Sequence, residues 1–483
     1  MIATPSLRLA ALAALSASLA GCASSAIDRE GALPALPASW TSSAEAGSAG
    51  AQPPATDWLG AFNDPALPLL TAEALARNAD FRAARYRLEQ ARASAVIAGA
   101  PRLPTLDASG TITGRDTADL IGAGRTTSDS FALGLNASWE ADVWGRVAAN
   151  AGAAQADAVA TEADLAGARL SLAGATAQAW FALIEAELQE ALAARDVQNR
   201  ENSLNFIERR YASGVNTSLD VRLSRSALAA ARATLSARRQ ALGEAARALE
   251  VLLGRYPAAE LAAMADLPEM APLSGAGAPA DLLWRRPDLI AADFRLEAAG
   301  LRAEAARDAL LPRLTLQAGA TANAGDTSAL LDAESIASSL IAGLAAPIFR
   351  GGALRADSAR TEAAAQERLA AYTGVALIAW REAENALAAE TRLLERAAQL
   401  RISFEEAARA EELAQRQYTN GLVDIFNLLD AQGRRISSES QYIAVRRERA
   451  ANRVRLYLAI GGDFTAPQFV ESGPAAAPQE SAS

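Results

Sequence analysis

The sequence predicts a mixed membrane architecture: four membrane-spanning β-strands per chain, joined to very long α-helices and ordered as two structural repeats. Three observations predict it. First, motifs recur at offsets of 205 to 211 residues: Asp80 with Leu88-Glu89 and Asp288 with Leu296-Glu297, Pro101-Arg102-Leu103 and Pro312-Arg313-Leu314, Val143-Trp144 and Ile348-Phe349, Tyr211 with Gly214 and Tyr418 with Gly421. Second, no proline occurs from 105 to 256 or from 348 to 466, in stretches dense with Ala, Leu, Glu, Arg and Gln. Third, short runs ahead of those stretches alternate apolar with small or polar residues at period two.

The N-terminus sets the compartment. Residues 1–21 read as an export signal, with Arg8 ahead of an Ala- and Leu-rich run from Leu9 to Leu19. That run is shorter than the ~20 apolar residues a membrane-spanning helix needs. It ends in Leu19-Ala20-Gly21-Cys22, with small residues before the single cysteine of the chain, as lipid attachment at Cys22 would require. The alternative is an ordinary secretory signal with a chance cysteine. Residues 22–56, rich in Ser, Ala, Pro and Gly, read as a tether. No later segment holds 18 uninterrupted apolar residues, so membrane passage must use strands.

Each repeat, 57–256 and 281–465, reads as helix, two strands and two long helices, with a Pro- and Gly-containing linker at 257–280 and a disordered tail at 466–483. The stretch 146–212 would be one helix of roughly 100 Å at 1.5 Å per residue. Val197, Leu204 and Tyr211 fall at sevens, with Ile207 between them, as in a coiled-coil seam. In 129–139 the odd positions include Phe131, Leu133, Leu135 and Trp139, against Ser130, Gly134, Asn136 and Ser138. Runs 103–114 and 313–323 alternate likewise; 336–349 alternates poorly and is assigned as a strand because the repeat requires one. Each run has about the 9–11 residues of a tilted membrane strand.

Four strands cannot close a barrel, and an open edge in hydrocarbon leaves backbone groups unpaired at several kcal/mol each. Copies must therefore pool their strands, two giving eight and three giving twelve. Composition narrows the chemistry. Among 483 residues there is no histidine and no lysine, which removes Ser-His-Asp and Cys-His pairs, histidine metal sites and lysine chemistry. One cysteine excludes a zinc cluster or disulfide framework. The net charge of -10 argues against nucleic acid. Neither an enzyme nor a bound cofactor is expected, apart from lipid on Cys22.

The lipobox, the duplicated pattern, Trp139-Glu-Ala-Asp-Val-Trp-Gly-Arg146, Pro347-Ile-Phe-Arg-Gly-Gly352 and the two Tyr-x-x-Gly turns together resemble the outer-membrane efflux factor family, the TolC- and OprM-like channels, in its lipoprotein branch. The resemblance spans nearly all of 57–465. It implies a homotrimer whose twelve-stranded barrel in the outer membrane continues into a periplasmic α-helical coiled-coil barrel. It also implies a periplasmic adaptor and an inner-membrane RND-type pump as partners, with drugs, dyes or metal ions as cargo. Ala23, rather than Asp, implies the outer membrane. The turns at Gly214 and Gly421, with Tyr211, would mark the periplasmic hairpin tips that meet the adaptor. Tyr418 would tie to an acidic partner, Asp220, and Asp430 would ring the constriction with Asp424 nearby. Asn427 stands where a second aspartate ring can occur and Val423 where an arginine tie can occur, which departs from a doubly charged gate. A ring of Asp430 carboxylates would favour cations.

Plainer readings accompany these. Tyr211 and Tyr418 can cap a coiled-coil seam, and Asp220 can be a first-turn acid favoured by the helix dipole. The runs Arg209-Arg210, Arg434-Arg435 and Arg446-Arg447 read as solvated helix faces. The rival functions are a periplasmic coiled-coil lipoprotein without a pore and an adaptor. A duct for protein secretion or metal-ion efflux stays open within the family. The spacer leaves the strands unexplained, and an adaptor would need a lipoyl-like half-motif that is absent from the sequence.

Overall fold

The computed structural model describes residues 28–29, 31–42, 58–118, 125–270, 273, 275–330 and 332–462. Cys22, the export signal and the tail at 466–483 lie outside the described residues. Element order runs α1 (Ala66–Arg77), α2 (Ala79–Gly99), β1 (Thr105–Ala118), β2 (Arg125–Ala141), α3 (Arg146–Ala212) and α4 (Ser218–Leu252). After an irregular stretch it resumes with α5 (Pro287–Asp308), β3 (Arg313–Ala324), β4 (Ile336–Ala345), α6 (Ala353–Thr419) and α7 (Ile425–Ala459). Both α3 and α6 have 67 residues, and both α4 and α7 have 35. At 1.5 Å per residue the longer pair each extend about 100 Å.

The chain divides into two compact units. One comprises Met1–Pro34, Glu89–Ala160 and Ala292–Thr373; the other comprises Ala35–Leu88, Thr161–Ala291 and Gly374–Ser483.

The first unit holds a four-stranded antiparallel sheet in the order β1-β2-β3-β4. Its register decides which side chains share a face. Ile112 pairs with Phe131, Ala108 with Leu135, Trp139 with Leu316, Leu314 with Leu344 and Ala318 with Leu340. Because successive residues point to opposite faces, one face is apolar from Leu106 to Ile112 of β1 and across their partners, giving way to Asp116, Arg125, Thr127 and Asp129 at the far end of the β1–β2 pair. The other carries Asp107, Ser109, Thr111, Asn136, Glu140, Thr315, Gln317 and Thr321. Leu106, Ile112, Leu340 and Leu344 on the apolar face are exposed. The poorly alternating fourth strand belongs to this pattern: Ile336, Leu340 and Leu344 lie on the apolar face, with Ser338 and Ile341 as its departures. It ends at Ala345, short of the sequence-based limit at 349, ahead of Pro347, which lacks the ladder donor, and of Gly351 and Gly352, both at positive φ. Among the described residues, β1 and β4 each pair on one side only.

The motif at 139–146 is a strand-to-helix joint. Trp139 Nε1 donates to the Arg102 carbonyl at 3.1 Å, and Trp144 Nε1 donates to the Pro312 carbonyl. Arg146 pairs with Glu140 at 2.8 Å. The Asp142 carboxylate accepts from Val147 and Ala148 N–H at 3.0 and 2.7 Å, capping the first turn of α3.

The second unit is helical. Its core includes an aromatic cluster of Trp58, Phe62, Phe181 and Tyr457, with ring centroids 5.1–6.3 Å apart. Trp180 Nε1 donates to Asp64 at 2.6 Å beside it. A buried ion pair, Arg453 with Glu390 at 2.6 Å, joins α7 to α6. The seam predicted on α3 differs in detail. Ile207 is fully buried, Val197 and Leu204 are half-buried, and Tyr211 is 50% exposed. An exact seven-residue repeat drifts about 20° per heptad on a straight helix, so the third member leaves the interface.

Candidate functional site at the hairpin turns

The helical unit contains two hairpins, α3–α4 and α6–α7, and their turns share one backbone design. In the first, Val215 N–H donates to the Arg210 carbonyl at 2.9 Å and Gly214 N–H to the Tyr211 carbonyl at 2.9 Å. In the second, Leu422 N–H reaches the Gln417 carbonyl at 2.9 Å and Gly421 N–H the Tyr418 carbonyl at 3.0 Å. These are the paired bonds of a Schellman ending, which needs a left-handed residue. Gly214 has φ 75° and Gly421 φ 74°. A Cβ at either would meet nothing within 4 Å, so the dihedral alone selects glycine.

Each return helix then starts with a side-chain cap. Thr217 forms a capping box with Asp220: the Thr217 hydroxyl accepts from Asp220 N–H at 3.3 Å, and the Asp220 carboxylate accepts from Thr217 N–H at 2.8 Å. Asp424 caps α7 by accepting from Asn427 N–H at 3.1 Å and from Asn427 Nδ2 at 2.8 Å. Asp220 and Asp424 thus act as helix-start acids.

The two turns meet through side chains. Tyr418 is 5% exposed and packs with Ile207, Val221, Ile425 and Leu428. Its ring meets Phe206 edge-on at 6.3 Å. The Tyr418 hydroxyl accepts from Asn216 Nδ2 at 2.7 Å, and the same nitrogen donates to Asp220 Oδ2 at 3.2 Å. The direct tie from Tyr418 to Asp220 expected from the resemblance is therefore a relay through Asn216. Capping geometry holds the Asp220 carboxylate at its own helix start, and Asn216 spans the gap. Arg210 Nε donates to Asn216 Oδ1 at 2.9 Å and its terminal nitrogen to the Thr419 carbonyl at 3.1 Å. The guanidinium lies 5.5 and 5.8 Å from the Phe206 and Tyr418 ring centroids. Burial raises the Tyr418 pKa, and the Asp220 charge adds to the rise, while the Asn216 donor and Arg210 oppose it.

The remaining candidates lie apart from this cluster. Asp430 is exposed and accepts from Arg434 Nε at 2.7 Å, one turn along α7, so its charge is paired along the helix surface. Asn427 and Tyr211 are exposed. The basic runs are also not uniformly solvated. Arg435, 12% exposed, links Glu411 to Glu439; Arg446 meets Asp266, and Arg447 meets Glu185. Among the described residues no group of acidic or sulfur side chains could hold a metal. No helix there is long and apolar enough to cross a membrane.

Arg210, Asn216 and Phe206 escaped the sequence reading as site residues. Their signal lay in the departures from duplication: at the 207-residue offset, Arg210 faces Gln417 and Asn216 faces Val423.

The family model for the outer membrane efflux protein family matches residues 70–255 and 278–462. The chain is 33% identical over 418 residues to the pyoverdine export outer membrane protein OpmQ of Pseudomonas aeruginosa, covering 84% of this chain and 87% of that one. It is 32% identical over 438 residues to the outer membrane protein OprJ of the same organism, covering 89% and 91%. The solved structure of the outer-membrane channel OprN is similar with a TM-score of 0.82 at 28% identity, covering 89% of this chain and 97% of that one.

Proposed function

The chain belongs to the outer membrane efflux protein family, and from that membership we propose that it is the exit duct of a tripartite efflux system. It conducts small molecules passively from an inner-membrane pump and a periplasmic adaptor across the outer membrane, without covalent change to the cargo.

The observation that carries the reading is the sheet. One face is an apolar band ending at Asp116 and Asp129, the opposite face is largely polar, and both edges are open among the described residues. In hydrocarbon such edges demand partners, and β4 of one copy can pair with β1 of the next. Three copies give twelve strands with the apolar face toward lipid and the polar face lining the bore. The long helices of three copies then assemble into a coiled-coil tunnel in the periplasm. The hairpin turns form its inner end, where the Tyr418 cluster holds the gate closed and Asp430 lines the opening. Lipid on Cys22 anchors the N-terminus.

Native mass spectrometry of the mature protein extracted from membranes tests this reading. The expected species is a trimer with one lipid mass on each chain. A lipidated monomer refutes the shared barrel and favours a pore-free spacer. A trimer without lipid keeps the channel and removes only the anchor.

A further inference from the structure

We infer that Arg210 latches the two hairpins of one chain together at their turns, and that Asn216 is the adapter through which the latch holds Tyr418. The inference rests on the reading of these turns as the gate.

A guanidinium can only donate hydrogen bonds, and an ionised carboxylate can only accept them. Arg210 Nε therefore requires the oxygen of the Asn216 amide, which it meets at 2.9 Å. Asp220 requires the amide nitrogen, which it meets at 3.2 Å. Between them they fix one orientation of the amide, and that orientation aims its second N–H at the Tyr418 hydroxyl. Arg210 also grips the second hairpin directly through the Thr419 carbonyl at 3.1 Å. One side chain of α3 thus touches the backbone of α6, the face of its last tyrosine and the amide bonded to that tyrosine. Asn216 and Asp220 lie on the first hairpin as well, so the polar grip on the second hairpin comes from one side. At the equivalent position the second hairpin carries Gln417, which lacks both the charge and the five-donor fork. The latch is therefore one-directional within a chain.

The test uses the purified trimer in planar bilayers. Arg210→Ala is expected to raise single-channel conductance at least threefold with an unchanged trimer mass. Arg210→Lys, which keeps the charge and loses the fork, should give an intermediate value. Asn216→Leu should open the channel with Arg210 intact, because leucine can neither accept from Arg210 nor donate to Tyr418 and Asp220. Arg209→Ala, an exposed neighbour, should change nothing. A loss that only reflected general destabilisation would appear in the thermal midpoint before conductance, and rejoining the turns would not correct it. For that purpose, cysteines at exposed Val215 and Leu422 are bridged by a bifunctional maleimide in the Arg210→Ala background; closure on bridging supports the latch. If Arg210→Ala and Arg210→Lys conduct like the parent while Tyr418→Ala opens the channel, the turns gate but Arg210 is not the latch. If none of these variants opens the channel and bridging has no effect, the turns are not the gate and both readings fall. Should Arg210→Ala not assemble, Arg210→Lys and Asn216→Leu decide between the same outcomes.

Discussion

The two hairpin turns share a backbone and differ in nearly every side chain that works there. Gly214 and Gly421 match within one degree of φ, and both turns close with the same pair of helix-ending bonds. Yet Tyr211 is 50% exposed and Tyr418 is 5% exposed, although both stand three residues before their glycine. The difference follows from what each meets. Tyr418 lies against Phe206, Ile207 and Val221 of the first hairpin, whereas half of Tyr211 stays exposed. The turns share a backbone, and Asn216 against Val423 and Arg210 against Gln417 set them apart.

Substitutions can break this contrast. The largest expected effect is that of Tyr418→Ala, since truncating a buried aromatic costs about 3 kcal/mol or more. Hydrogen exchange of amides in 205–222 should then accelerate roughly 100-fold, as that energy implies through local opening. Tyr211→Ala should leave exchange in 412–430 of the isolated chain unchanged. Equal acceleration by both variants in the trimer, but not in the monomer, would show that Tyr211 makes the equivalent contact between copies.

A smaller effect is expected at the glycines. Gly214→Ala and Gly421→Ala should each cost about 1–2 kcal/mol, the penalty of a Cβ in left-handed backbone, because neither Cβ would meet another atom. Thermal unfolding of the two variants should match. A clear difference would mean that the turns are not equivalent in the assembled protein.

The smallest effect concerns Asp430. Its ion pair with Arg434 is exposed along one helix surface, and such pairs contribute little because solvent screens them. Asp430→Ala should leave thermal stability unchanged while raising conductance less than twofold and lowering preference for potassium over chloride. Unaltered conductance and selectivity would remove Asp430 from the opening.

The tips illustrate what sequence could and could not reveal about the site. Tyr418, Gly214 and Gly421 were legible because a tyrosine three residues before a glycine recurs between two proline-free stretches. Asp220 is legible as a helix-start acid and caps α4, whereas Asp424, expected beside Asp430 near the constriction, caps α7 without a sequence reading that said so. By sequence Arg210 belongs to a solvated basic run, since a doublet of arginines on a helix carries no mark of its partner. The partner, the Thr419 carbonyl, is 209 residues away. A pKa direction is likewise invisible in sequence: Tyr418 is raised chiefly because packing buries it.

The sheet divides the same way. Alternation within β1, β2 and β3 is a local pattern, set by side chains that point to opposite faces at successive residues, and it could be read directly. The membership of Ile336, Leu340 and Leu344 in the apolar face could not, because the sequence of β4 is ambiguous and only pairing with β3 fixes its register. By itself the sequence determined the order of the strands and long helices, the extent of the helix at 146–212 and the place of the turns, but not the break at Asn78 that divides the first helix into α1 and α2. Those depend on near neighbours: proline's missing donor, glycine's access to positive φ, the period of apolar residues. Tertiary structure alone decided that Asn216 stands between Tyr418 and Asp220 and that Arg210 clasps both hairpins. The contacts to Tyr418 and Thr419 join residues 202 and 209 positions apart, and only the packing of one helix surface on another brings them within a hydrogen bond.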